Sequence, residues 1–145
     1  MKTANLESDA FVFFGATGDL AYKQIFPALQ AMIRRHHFDL PIIGVARSAK
    51  GLDSLRARAH DSLEKHGGVD PKAFAVLSEK LQYVNGDYNS QQTFRDLRKA
   101  LGGASHPLYY LAIPPNMFAT VVKGLADAGC DKGARVVVEK PFGRD

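Results

Sequence analysis

Cysteine is nearly missing from this chain of 145 residues, in which Cys130 stands alone. An internal disulfide is therefore excluded, and a reducing, cytoplasmic setting fits best. A lone cysteine more often packs than reacts, so Cys130 reads as a small residue at a helix end. Long apolar runs are lacking too, so no membrane span is expected. The opening stretch, Met1 to Asp9, carries Glu7 and Asp9 and no apolar segment of the kind a secretory signal needs, and no such signal is expected. Repeats and low-complexity tracts are also missing. The charge leans basic, with a formal net charge of +4, but the basic residues are scattered. Arg34-Arg35, Arg56 with Arg58, and Arg95 with Arg98 and Lys99 lie in separate segments with no aromatic stripe between them. That pattern suits a phosphate-bearing ligand better than nucleic acid.

What is present is alternation. Apolar runs of strand length recur at Ala10–Phe14, Pro41–Ala46, Leu81–Asn85, Leu108–Ile113 and Ala134–Val138. All but the third are apolar on both faces, the mark of parallel strands covered by helices on each side. Helical spacing fills the gaps. A first helix is expected over Asp19–His37, with Leu20, Ile25, Leu29, Met32 and Ile33 inward and a bend at Pro27. Others are expected over Leu52–Lys65, Pro71–Leu77, Ser90–Leu101 and Pro115–Ala128, with Gly102 and Gly129 as left-handed helix ends. Strand and helix in strict alternation imply an α/β domain: a Rossmann-type, doubly wound parallel sheet of order 3-2-1-4-5, with ligand bound where the order reverses.

Immediately after the first strand comes Gly15-Ala16-Thr17-Gly18-Asp19-Leu20-Ala21. It runs G-x-x-G-x-x-A rather than G-x-G-x-x-G, but the physical logic survives. Gly15 allows a tight exit from the strand, Gly18 lets backbone approach a pyrophosphate, and Ala21 lets the helix pack on the sheet. The helix start offers free N–H groups and partial positive charge to an anion, and Thr17 offers a hydroxyl. Asp19 has two open readings, a ligand contact or simply an acid favoured in a first helical turn.

The end of the second strand selects the cofactor. NAD-selective domains carry an acid there for the adenosine ribose. This chain has Arg47, followed by Ser48 and Lys50, which suits the 2′-phosphate of NADP. After the third strand, Asp87 caps the next helix or meets the cofactor, and Tyr88 lies near the adenine. After the fourth strand, Pro114-Pro115 start a helix, and Tyr110, which precedes this loop, either touches the cofactor or packs as a strand aromatic. After the fifth strand come Glu139-Lys140-Pro141-Phe142-Gly143, where Lys140 is placed for a substrate oxygen beside the nicotinamide and the bond before Pro141 is a candidate cis peptide.

Taken together, the loop Gly15–Ala21, Val45-Ala46-Arg47-Ser48, Tyr110–Pro115 and Glu139–Gly143 resemble glucose-6-phosphate dehydrogenase in order and spacing, over nearly the whole chain. The resemblance implies oxidation of D-glucose 6-phosphate to 6-phosphoglucono-lactone with NADP, in glucose metabolism and the pentose phosphate pathway. It places Gly15, Ala16, Thr17, Gly18, Asp19, Leu20, Ala21 and Tyr22 on the pyrophosphate. It puts Arg47 on the 2′-phosphate, Asp87, Tyr88 and Tyr110 beside the cofactor, and Lys140 on both nicotinamide end and sugar phosphate. It further implies that residues 1–145 are one NADP-binding domain without its substrate and dimerisation domain, that the full-length enzyme is a homodimer or tetramer, and that the catalytic histidine lies outside this chain. No catalytic residue is assigned to His36, His37, His60, His66 or His106, and no metal site is expected. Gln24 departs from the family pattern, standing where a substrate-contacting lysine is expected. Two alternatives remain, a glucose–fructose oxidoreductase-type domain, which shares a Glu-Lys-Pro motif, and a non-catalytic NADP-sensing domain.

Overall fold

The computed structural model describes residues 8–35 and 39–138. Five parallel strands form one sheet in the order β3-β2-β1-β4-β5: β1 Ala10–Phe14, β2 Ile42–Ala46, β3 Leu81–Asn85, β4 Pro107–Leu111 and β5 Arg135–Val138. Both the class and the order match the expectation from alternation. The crossovers carry α1 Phe26–Arg35 between β1 and β2, α2 Gly51–Lys65 and α3 Pro71–Lys80 between β2 and β3, α4 Gln91–Leu101 before β4, and α5 Phe118–Asp127 before β5.

Period-two alternation in the strands builds two separate cores. From β1, Ala10, Val12 and Phe14 face α4 and α5, meeting Phe94, Leu97, Val121 and Leu125. Phe13 faces the other way, toward α1 to α3, meeting Phe26, Leu29, Leu55, Leu63 and Leu77. Gly44 in β2 has no side chain because the second layer leaves no room for one: an added Cβ would sit 2.9 Å from the Ala16 Cβ. Cys130 packs in the α4–α5 core, as expected, with burial pushing its thiol pKa up.

Three expectations need correction. The fifth run was read as covered on both faces, but every residue of β5 is exposed. Its position explains this, because an edge strand has one neighbour, β4, and α5 packs under the centre of the sheet. Second, the first helix is not regular. A π turn over Ala21–Ile25 precedes α1, with the Phe26 N–H donating to the Ala21 carbonyl. Pro27 is the cause, since a proline ring collides with the carbonyl four residues back and supplies no N–H; one wide turn absorbs both demands. Third, Met32 was placed inward but is 41% exposed. The buried stripe of α1 is Phe26, Leu29 and Gln30, with Ile33 packed beside it. Gln30 takes the inward place because its amide is satisfied there, donating to the Gly68 carbonyl at 3.0 Å and accepting from the Asp70 N–H at 2.8 Å. The part of the expected helix beyond Arg35 lies outside the described residues.

Candidate functional site

The order of the sheet reverses between β1 and β4, and Gly15 stands at that point. Its φ is +85°, a region open to glycine and strained for other residues. An added Cβ would overlap the carbonyl oxygen of Ala112, which continues β4. The turn is closed by the Gly18 N–H donating to the Gly15 carbonyl at 2.9 Å. The N–H groups of Gly15 and Ala16 are turned inward, onto the Val45 carbonyl at 2.9 and 3.1 Å. They bind strand to strand and are unavailable to an anion. The donors that helix geometry leaves over are those of the first helical turn, which starts at Asp19 and Leu20 and lacks intrahelical acceptors. Thr17 and Asp19 are exposed at this rim, while Ala16 and Ala21 are buried and let the loop and helix settle on the sheet.

Tyr88 was expected near the adenine. Its hydroxyl instead lies under the loop, accepting from the Gly15 N–H at 2.8 Å and donating to the Val45 carbonyl at 3.1 Å. Its ring meets Phe14 edge-on at 5.7 Å. Burial pushes its pKa up to about 12, so the donor proton stays in place at neutral pH. Tyr110 packs with its ring 6.4 Å from that of Phe11, on the α1–α3 side of the sheet.

Arg47 leaves the end of β2 with its side chain 79% exposed. Its loop is braced by β3: Asn85 Oδ1 accepts from the Ser48 N–H at 2.9 Å, and the Tyr83 hydroxyl lies on the carbonyls of Ala46 and Ser48 at 3.0 and 2.7 Å. Asp87 does not cap α4. Ser90 does, its hydroxyl accepting from the Gln92 N–H at 3.3 Å. The Asp87 carboxylate closes a short turn instead, accepting from the Asn89 N–H at 2.8 Å, and that bond holds its carboxyl below the usual range. The same carboxylate reaches Arg47 at 3.5 Å.

Three residues of α2 escaped the sequence reading: Arg58, Asp61 and Ser62. Arg58 donates to the Gly18 carbonyl at 3.1 Å and covers the Tyr22 ring at 4.7 Å. The Tyr22 hydroxyl donates to Asp61, and the Ser62 hydroxyl donates to the Tyr22 carbonyl. With Lys65 they are spaced i, i+3, i+4 and i+7, a polar stripe on one helix face. Such a stripe, facing a segment that also carries a tyrosine, was the available signal. Lys140, with Glu139, Pro141, Phe142 and Gly143, lies outside the described residues, as do His36 and His37.

No described histidine stands at the carboxyl ends of the strands. His60 and His66 ride on or just beyond α2 against Phe74 and Tyr22, and His106 precedes β4 at the opposite end of the sheet. A cleft of about 290 Å³ between α4 and α5 has Lys123 in its wall, a cation already paired with Asp127 at 2.9 Å. The candidate site is the surface over Gly15 at the carboxyl ends of the strands, between the helix start and the exposed Arg47.

Residues 12–145 match the family model for the glucose-6-phosphate dehydrogenase, NAD binding domain. The chain belongs to this family. A pyridine nucleotide is accordingly its cofactor class, and the groups over Gly15 have chemistry suited to one: a glycine turn, a helix start and an exposed guanidinium. The chain is 41% identical over 138 residues to glucose-6-phosphate 1-dehydrogenase 1 of Mycobacterium tuberculosis, a match covering 95% of this chain and 30% of the relative. It is 36% identical over 146 residues to the Saccharomyces cerevisiae glucose-6-phosphate 1-dehydrogenase, covering 91% and 29%. The solved glucose-6-phosphate 1-dehydrogenase of Mycobacterium avium superposes with a TM-score of 0.87 at 42% identity, over 95% of this chain and 31% of that one. A glucose-6-phosphate dehydrogenase in complex with its substrate glucose-6-phosphate superposes at 0.79 with 32% identity, over 95% and 31%. The chain thus spans about 30% of the length of these relatives.

Proposed function

We propose that this chain is the NADP-binding domain of an oxidoreductase that oxidises D-glucose 6-phosphate to 6-phosphoglucono-lactone. One observation carries the cofactor preference: an exposed arginine, braced by its loop, stands at the end of β2 where an NAD-selective domain would place an acid. Arg47 grips the 2′-phosphate through its planar fork. Backbone N–H groups at the helix start, with Thr17, take the pyrophosphate, and Asp19, Leu20, Ala21 and Tyr22 shape that start. Asp87 and Tyr88 after β3, and Tyr110 near the end of β4, are assigned to the cofactor's path. When bound, NADP supplies the hydride acceptor.

Lys140 is proposed for the nicotinamide end and the substrate oxygen, on the strength of its place after β5. Gln24, exposed in the π turn, offers a neutral amide to the sugar phosphate. The relatives are named as dehydrogenases and are more than three times as long as the stretch matched here, which supports a division of labour in which residues 1–145 bind cofactor and another domain brings the proton-abstracting base and the oligomer contacts. Among the described residues no helix is long and apolar enough to cross a membrane. A cytoplasmic setting is supported by the lone cysteine; of two relatives in Arabidopsis thaliana, one is named cytoplasmic, at 32% identity, and one chloroplastic, at 39%.

Calorimetric titration of the chain with NADP and NAD tests the reading. Arg47→Ala is expected to weaken NADP by about tenfold to a hundredfold, the worth of one or two charge-assisted bonds, and to leave NAD within about twofold. Equal losses for the two cofactors would count against it. Incubation of the chain with glucose 6-phosphate and NADP is expected to give no reduced nicotinamide, since no described histidine reaches the crevice.

A further inference from the structure

A second charge shares the crevice with Arg47. Asp87 follows β3, the strand beside β2, and its Oδ2 lies 3.5 Å from Arg47 Nη1. This carboxylate is not a loose surface group. Its Oδ1 accepts from the Asn89 N–H at 2.8 Å and from the Asn89 side-chain amide at 3.2 Å, and Thr93 Oγ1 donates to the Asp87 carbonyl at 2.7 Å. Arg47 is carried by a loop tied to the same strand through Asn85 and Tyr83. Two braced backbones therefore present a cation and an anion to each other across the mouth of the site. The side chains are 79% and 41% exposed, so the pair adds little to folding. Its place beside the expected 2′-phosphate gives it another consequence.

We propose that Asp87 is a specificity-determining residue, a fixed carboxylate that opposes the 2′-phosphate at Arg47 and so narrows the preference for NADP over NAD. The inference rests on the assignment of Arg47 to the 2′-phosphate. A phosphate gripped by this guanidinium comes within about 4–6 Å of the carboxylate, close enough for like charges to repel in a solvent-filled crevice. Where it takes the Nη1 that Asp87 reaches, it must also displace the carboxylate from that contact. A ribose 2′-hydroxyl meets neither obstacle and can donate to the carboxylate, the role an acid at the second strand plays in NAD-selective domains. Arg47 and Asp87 pull the selection in opposite directions, and the ratio of the two affinities reads their balance.

The test is calorimetric titration of the chain and its Asp87→Asn variant with NADP, NAD, 2′,5′-ADP and 5′-AMP. Asparagine keeps the side-chain oxygen that accepts from Asn89, so the turn persists while the charge is removed. NADP and 2′,5′-ADP are expected to tighten about three- to tenfold, while NAD and 5′-AMP stay within about twofold or weaken. Equal shifts for all four ligands, or no shift for the two that carry a 2′-phosphate, would overturn the proposal. Arg47→Ala separates the two levels. If it abolishes the NADP preference while Asp87→Asn raises nothing, only the role of Asp87 is lost; if it leaves the preference intact, the assignment of Arg47 fails as well.

Discussion

An added methyl at Gly15 meets two obstacles at once. The backbone there is left-handed, with φ of +85°, which costs an ordinary residue about 1–2 kcal/mol, and the new carbon would overlap the Ala112 carbonyl at the mouth of β4. Gly15→Ala is therefore expected to lower stability by about 2–4 kcal/mol, combining backbone strain with overpacking, as read from urea unfolding. Tyr88→Phe is milder. The Gly15 N–H keeps the Val45 carbonyl as a second acceptor at 2.9 Å, so losing the hydroxyl costs about 1 kcal/mol. Cofactor affinity should fall with it, because the loop loses one of the bonds that hold it to the sheet; an unchanged affinity would show that the glycine turn holds its shape without the tyrosine. Gly15 could be read from the chain, since a glycine directly after a buried strand has few other purposes. Tyr88 could not be read in the same way. Its place after β3 was visible, but the partner of its hydroxyl, 73 residues earlier, exists only once β1, β2 and β3 lie side by side.

The helix that follows the phosphate loop shows how one residue redirects an element. Pro27 has no N–H, and in the π turn the Phe26 N–H is taken by Ala21. The Tyr22 carbonyl is thereby left without a helical donor, and the fully buried Ser62 hydroxyl of α2 supplies one. Ser62→Ala should leave that carbonyl unsatisfied and cost about 1–3 kcal/mol. Pro27→Ala restores a backbone N–H and is expected to recover part of the loss in the double variant, so that a thermodynamic cycle shows coupling of about 0.5 kcal/mol or more. Strict additivity would mean that the proline and the serine act independently. Periodicity had located the helix and its proline, but it expected a bend and put Met32 inside. It could not foresee that an inward glutamine would be satisfied by Gly68 and Asp70, residues that reach it only after α2 has folded back.

Across the molecule, several carboxylates are held ionised by hydrogen-bond partners, most of them from distant segments. Asp9 joins the start of β1 to the approach of β4: burial works against its charge, and the N–H groups of Ser105 and His106, at 2.8 and 2.7 Å, outweigh it. Asp39 is lowered by Lys80, Asp61 by the Tyr22 hydroxyl and Asp87 by Asn89. Each folded pKa lies below its unfolded value of about 3.9, so the stability these groups contribute is complete above that pH and is lost as pH falls through the folded values. The urea midpoint should accordingly be flat from about pH 7 to 5 and drop below about pH 4. Asp9→Asn should lower the midpoint at neutral pH, with a gap that closes toward low pH; a gap independent of pH would show that the charge of Asp9 is not what matters.

Alternating apolar runs, helical gaps and a glycine turn after the first strand were enough to determine the sheet, its order and the edge where that order reverses, because those follow from local periodicity and from the handedness of parallel crossovers. The arginine after β2 could likewise be placed from the chain, and its side chain stands exposed at the end of that strand. Tertiary structure alone decided which groups hold the site in shape and which oppose it. The hydroxyl of Tyr88 beneath Gly15, the guanidinium of Arg58 on Gly18 and the carboxylate of Asp87 against Arg47 are contacts between segments that are distant in sequence, and neither spacing nor composition records how far apart such groups will stand once the strands are paired.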